Sequence, residues 1–91
     1  MADSEDDLDR KFNKYISKVK KLETVSDQDK SYLYGNYKQA LFGNNTNEKP
    51  SILNRIEMEK WKSWNSFKDI SKEDAIKNYI KRVKKLYSNI I

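Results

Sequence analysis

Leu8, Phe12, Tyr15, Ile16, Val19 and Leu22 follow one another at steps of four, three, one, three and three. That is the spacing of one face of an α-helix. The pattern recurs along the chain, and the residues that would interrupt it are scarce: 91 residues hold 2 glycines and 1 proline. Sheet folds need turn residues every few positions, so this sequence favours helices packed around one core. A chain of this length is expected to form one domain over 1–91, with residues 1–7 a candidate disordered acidic tail.

Four helices are predicted. The first runs from about Ser4 to Glu23 on the stripe just given. The second runs from Asp27 to Phe42. Ser26 or Asp27 can cap its start and Gly43 can stop it. Asn44 to Ser51 is polar, Asn-rich and closed by Pro50, so it reads as a loop, with Ile52 and Leu53 expected to pin its far end into the core. A shorter third helix is predicted over Glu57 to Lys68, anchored by Met58, Trp61, Trp64 and Phe67. Ser71, with Asp74 three residues on, has the form of a capping box and opens the fourth helix. The apolar face of that helix includes Ile76, Tyr79, Ile80, Val83 and Leu86. The expected class is an all-α four-helix bundle.

Composition removes several functions. The chain has no histidine and no cysteine. Ser-His-Asp and Cys-His catalysis, thiolate metal sites and disulfides are therefore absent, and no cofactor is expected. Glu57 and Glu59 lie on different faces of a helix, and Glu73 and Asp74 sit where capping explains them, so no carboxylate pair is poised for acid–base work. No apolar run approaches the roughly 18 residues that a membrane span needs. The acidic N-terminus is unlike a secretory signal, and a cytoplasmic location is the expectation. Asn44-Asn45-Thr46 matches a glycosylation sequon but is read as loop.

Charge is uneven. Net charge is +5, and the first nine residues hold five acids and no base. The basic remainder suits an anionic partner: nucleic acid, acidic lipid or a phosphorylated small molecule. Tyr34, Tyr37 and Lys38 share one helical face at i, i+3 and i+4, where rings could stack on a base and the ammonium could meet a phosphate. Spacing alone favours a plainer reading, tyrosines at a core edge and a solvated lysine. Lys60-Trp61-Lys62-Ser63-Trp64 could bind nucleic acid by stacking and charge, although tryptophans at this spacing are more often core. Lys81-Arg82-Val83-Lys84-Lys85 could touch anionic lipid or nucleic acid, or be a solvated helix end.

The segment Tyr34-Gly35-Asn36-Tyr37-Lys38-Gln39-Ala40, with Gly43 downstream, resembles the signature of the acyl-CoA-binding protein family. Asn47-Glu48-Lys49-Pro50, Lys60-Trp61-Lys62-Ser63-Trp64-Asn65, Ser71-Lys72-Glu73-Asp74-Ala75 and Tyr79-Ile80 continue the resemblance from Phe12 to about Leu86. It implies an up-down-down-up four-helix bundle that binds long-chain acyl-CoA and is not an enzyme. It also implies roles: Tyr34, Lys38 and Lys60 on the ribose 3′-phosphate, Tyr37 on the adenine, Tyr79 lining the site from the fourth helix, and Lys20 contacting ligand from the first. Trp61 and Trp64 remain core on this reading. A monomeric carrier and pool former for lipid metabolism is the expected function, with no nucleic-acid partner and only transient membrane contact. The rival is a basic helical module for nucleic acid or membrane surfaces. Lys30 and Ser31 depart from the family, which often has apolar residues there. They are expected to shorten or loosen the acyl groove. Val25, Leu41, Arg55 and Ile56 also depart from the family pattern.

Overall fold

The computed structural model describes residues 4–89. It contains four helices: α1 (Ser4–Lys20), α2 (Asp27–Phe42), α3 (Arg55–Asn65) and α4 (Lys72–Ser88). Residues 4–7 form the first turn of α1, and residues 1–3 of the acidic stretch lie outside the described ones.

Side-chain contacts fix the directions of α1, α2 and α4. Lys72 at the start of α4 lies 3.5 Å from Asp9 near the start of α1. The Tyr87 hydroxyl at the end of α4 donates to the Lys18 carbonyl at the end of α1, 2.7 Å. These two helices therefore run parallel. Asp29, early in α2, instead pairs with Arg82, late in α4, at 2.7 Å. Asn78 Nδ2 donates to Asn36 Oδ1 at 3.0 Å midway, so α2 and α4 are antiparallel. The rings of Phe42 and Trp64, near the ends of α2 and α3, lie 6.1 Å apart. The order is up-down-down-up.

The core lies where α4 meets α1 and α2. Ala75, Ile76 and Val83 of α4 are wholly buried, with Phe12 from α1 and Leu33 and Ala40 from α2 beside them. α2 shows no single apolar stripe because it is covered on two sides, by α4 and by α3. Its buried residues include Gly35, Asn36 and Gln39 beside Leu33 and Ala40. Buried polar side chains call for hydrogen-bond partners, and among the described residues Gln39 finds them for its amide nitrogen but not for Oε1. Gln39 Nε2 donates to Asn44 Oδ1 and to the Ile70 carbonyl, at 2.9 and 3.0 Å.

Both predicted N-caps form. Ser26 accepts from the Asp29 N–H at 3.1 Å and Ser71 from the Asp74 N–H at 3.0 Å. Three expectations are corrected. α1 stops at Lys20, short of Glu23, because the Lys21 and Leu22 amides bond back to Lys18 and Val19, three residues away, and tighten the chain into a turn. α3 lies two to three residues earlier than predicted. Asn54 caps it through the Glu57 amide at 3.4 Å, and from Phe67 the amides of Phe67, Lys68 and Ile70 bond three residues back. Asp69, at φ 70°, ends that stretch. Ile52 and Leu53 do not enter the core: they are 80% and 89% exposed.

Candidate functional site

An open groove of about 620 Å³ lies between α2 and the amino-terminal part of α3. From α2 it is lined by Asp27, Lys30, Ser31 and Tyr34. From α3 it is lined by Arg55, Ile56, Glu59, Lys60 and Ser63. The α2 residues fall four and three apart, so one helical face supplies the wall. The floor is closed. A hydrogen bond joins the Ser31 and Ser63 hydroxyls. Ser63 gives its own proton to the Glu59 carbonyl, 2.9 Å, so Ser31 is the donor.

Tyr34 and Lys60 face this groove from opposite helices. Burial, reinforced by the Glu57 carboxylate, pushes the Tyr34 phenol up, so it stays protonated and able to donate. Lys60 Nζ lies 3.8 Å from Glu57 in a pair that is half exposed, and such a pair is easily exchanged for a stronger anion. Lys38 follows Tyr34 by one turn. Its Nζ sits 4.4 Å from the Phe42 ring centroid and 4.8 Å from that of Trp64. The two rings hold the ammonium against α3, one turn beyond Lys60, and among the described residues no carboxylate pairs with it.

Tyr37 points away from the groove towards α1 and α4. Its ring centroid is 6.2 Å from that of Phe12, which packs edge-on against Tyr79 at 5.2 Å. Tyr79 is 5% exposed. Burial, with the Tyr37 phenol nearby, pushes its hydroxyl up to about 12. The structure therefore places Tyr34 and Lys60 on one groove, Lys38 one turn further along α2 over Phe42 and Trp64, and Tyr37 and Tyr79 in a second cluster around Phe12. Lys20 ends α1 as an exposed side chain, and among the described residues no hydrogen bond or ion pair joins it to either group.

The two tryptophans part company. Trp64 is 8% exposed and donates from Nε1 to the Gly43 carbonyl at 2.8 Å. Trp61 is only half-buried and donates to the Asn47 carbonyl at 2.9 Å, so it braces the loop and is not core. The basic cluster after Asn78 lines a separate hollow between α4 and Tyr32. Its Arg82 is engaged there with Asp29 and lies 3.8 Å from the Tyr32 ring. Among the described residues no group of His, Cys, Asp and Glu could hold a metal, and no helix is long and apolar enough to cross a membrane.

Sequence reasoning did not place Asp27, Glu59 and Ser63 at the groove. Their spacing from Tyr34 and Lys60 was visible, but which faces of α2 and α3 would meet was not.

Four helices in this order, with a phenol and an ammonium group facing one open groove from α2 and α3, give a helical module with a site suited to an anionic ligand. Residues 9–83 match the family described as Acyl CoA binding protein. The chain is 41% identical over 80 residues to acyl-CoA-binding domain-containing protein 2 of Oryza sativa subsp. japonica, spanning 87% of this chain and 88% of that one. It is 38% identical over 81 residues to an acyl-CoA-binding protein of Gossypium hirsutum, spanning 88% and 91%. The crystal structure of Oryza sativa acyl-CoA-binding protein 2 superposes with a TM-score of 0.87 at 39% identity, over 91% of this chain and 93% of that one. The solution structure of the Babesia bovis acyl CoA binding protein gives a TM-score of 0.71 at 34% identity, over 96% and 97%. This chain belongs to the acyl-CoA-binding protein family.

Proposed function

We propose that this chain is a cytoplasmic, monomeric carrier of long-chain fatty acyl-CoA that sequesters the thioester without chemical change and maintains a pool of it for lipid metabolism. What supports this reading is that Tyr34 and Lys60 face one groove, with Lys38 one turn along α2 from Tyr34. A phenol held in its protonated form and two ammonium groups, one fixed by aromatic rings, match a ribose 3′-phosphate. Charge-assisted bonds of this kind are short, directional and about twice as strong as neutral ones. Tyr37 packs against the adenine, Tyr79 supports that side through Phe12, and Lys20 adds a further cation from the end of α1. The acyl chain lies in the groove, shielded from water, where each buried CH₂ contributes up to about 0.8 kcal/mol. Nothing in this arrangement requires a bond to be made or broken.

Calorimetric titration with palmitoyl-CoA, with free CoA and palmitate as controls and Lys38→Ala alongside, tests the reading. Tight one-to-one binding of the thioester is expected, with weaker binding of either half and a large loss in Lys38→Ala. A folded protein that ignores palmitoyl-CoA but binds nucleic acid in a steeply salt-dependent way would point to the rival reading.

A further inference from the structure

One aliphatic side chain lines the groove, Ile56, and it is not on α2. Asp27, Lys30, Ser31 and Tyr34 make the α2 wall, and three of the four are charged or hydroxylic without a ring. Hydrocarbon laid over these groups would strip water from them and return no hydrogen bond. Nor can a chain pass between the helices beyond the groove. A Cβ added at Gly35 would lie 2.3 Å from the Ser63 carbonyl oxygen, so the two backbones already touch there.

The opposite lip is different. Ile56 lines the groove at the start of α3 and is 71% exposed. Ile52 and Leu53 precede it by four and three residues, at 80% and 89% exposure. They occupy the corner of a turn in which the Asn54 amide donates to the Ser51 carbonyl at 2.9 Å and the Leu53 amide to Ser51 Oγ at 3.2 Å. Such corners usually carry Gly, Pro, Asn, Asp or Ser. Here two aliphatic side chains stand there uncovered, on a turn held by its own hydrogen bonds and followed directly by the Asn54 cap. Exposed aliphatic groups placed together just before a groove-lining residue mark a surface suited to an apolar occupant.

We infer that the acyl chain of the bound thioester leaves the polar α2 wall and lies along a ledge formed by Ile56, Leu53 and Ile52. This rests on the acyl-CoA reading and adds to it the route of the chain. The ledge, and not Lys30 or Ser31, then sets how affinity depends on acyl length.

The test is titration of acetyl-, octanoyl- and palmitoyl-CoA and free CoA into the wild type and the Leu53→Ser/Ile56→Ser double variant. These side chains are exposed, so the double variant should fold, and circular dichroism checks that it does. For palmitoyl-CoA the double variant is expected to raise Kd about tenfold or more, the loss of roughly two apolar contacts. It should leave free CoA and acetyl-CoA within about twofold, a margin of a few tenths of a kcal/mol. Methyl resonances of Leu53 and Ile56 should shift with palmitoyl-CoA and not with free CoA. Wild-type palmitoyl-CoA affinity in the double variant overturns the ledge while leaving the carrier reading intact. So does a ledge whose substitution changes only self-association or vesicle binding. No binding of any thioester by the wild type overturns both.

Discussion

Gly35 of α2 sits so close to Ser63 of α3 that a Cβ would stand 2.3 Å from its carbonyl oxygen and 2.6 Å from the Phe67 ring. The ring can turn aside, but the carbonyl belongs to a helix and cannot. Gly35→Ala should therefore lower stability by about 2 kcal/mol, because overpacking outweighs a helix-propensity gain of about 1 kcal/mol. Urea unfolding would measure it. A stabilised variant would mean that α2 and α3 are not held this close.

The phosphate anchor predicts a chemical signature. Tyr34→Phe removes one hydroxyl and leaves the ring, so acyl-CoA and free CoA should each weaken about tenfold or somewhat more, the worth of a hydrogen bond to a charged group. Lys60→Gln should weaken both in the same way. With dephospho-CoA, which lacks the 3′-phosphate, neither substitution should matter. An equal loss with dephospho-CoA would move these two residues to another part of the ligand.

Asp29 couples the cap of α2 to α4. The Ser26 hydroxyl donates to its Oδ2 at 2.9 Å and Arg82 pairs with its Oδ1 at 2.7 Å. The Ser26 hydrogen bond first, and then Arg82, hold the carboxyl below its ordinary 3.8, against the opposing effect of burial. A depressed carboxylate stabilises the fold fully above its unfolded value, and the contribution fades as pH falls through the lower folded value. Asp29→Asn should cost about 1–2 kcal/mol at neutral pH, discounted because the pair keeps partial contact with water. Denaturation curves of variant and wild type should converge in acid. A gap that persists unchanged at low pH would remove the ionised carboxylate from the explanation.

Tyr79 works at the other end of the pH scale. Its folded hydroxyl titrates at about 12 against an ordinary 10.0. A raised value means that the folded chain holds its proton more tightly, so stability present below pH 10.0 is lost as pH rises towards about 12. Tyr79→Phe should flatten the fall of stability across that window. A fall of the same steepness in the variant would assign it to other groups.

The caps, the stripes of α1 and α4 and the signature around Tyr34 were legible because each is a local matter. A Ser three residues before an Asp, or apolar residues at steps of three and four, specify a helix start or a helix face whatever surrounds them. The ends of α1 and α3 were not, since a tightened last turn depends on amides choosing carbonyls three residues back. Trp61 and Trp64 looked alike in sequence, yet one braces a loop and the other is buried, because α2 covers only one of them.

By itself, then, the sequence determined four helices, their caps, a basic surface free of His and Cys, and a family signature. Each follows from spacing or composition along one stretch of chain. Only the tertiary structure decided which faces meet. It closed α2 on α3 at Gly35, which makes the groove floor polar through Ser31 and Ser63. It set Lys38 between Phe42 and Trp64, and it left Ile52, Leu53 and Ile56 in the open. Those outcomes depend on packing between helices distant in sequence, where one close backbone contact fixes what every neighbouring side chain can reach.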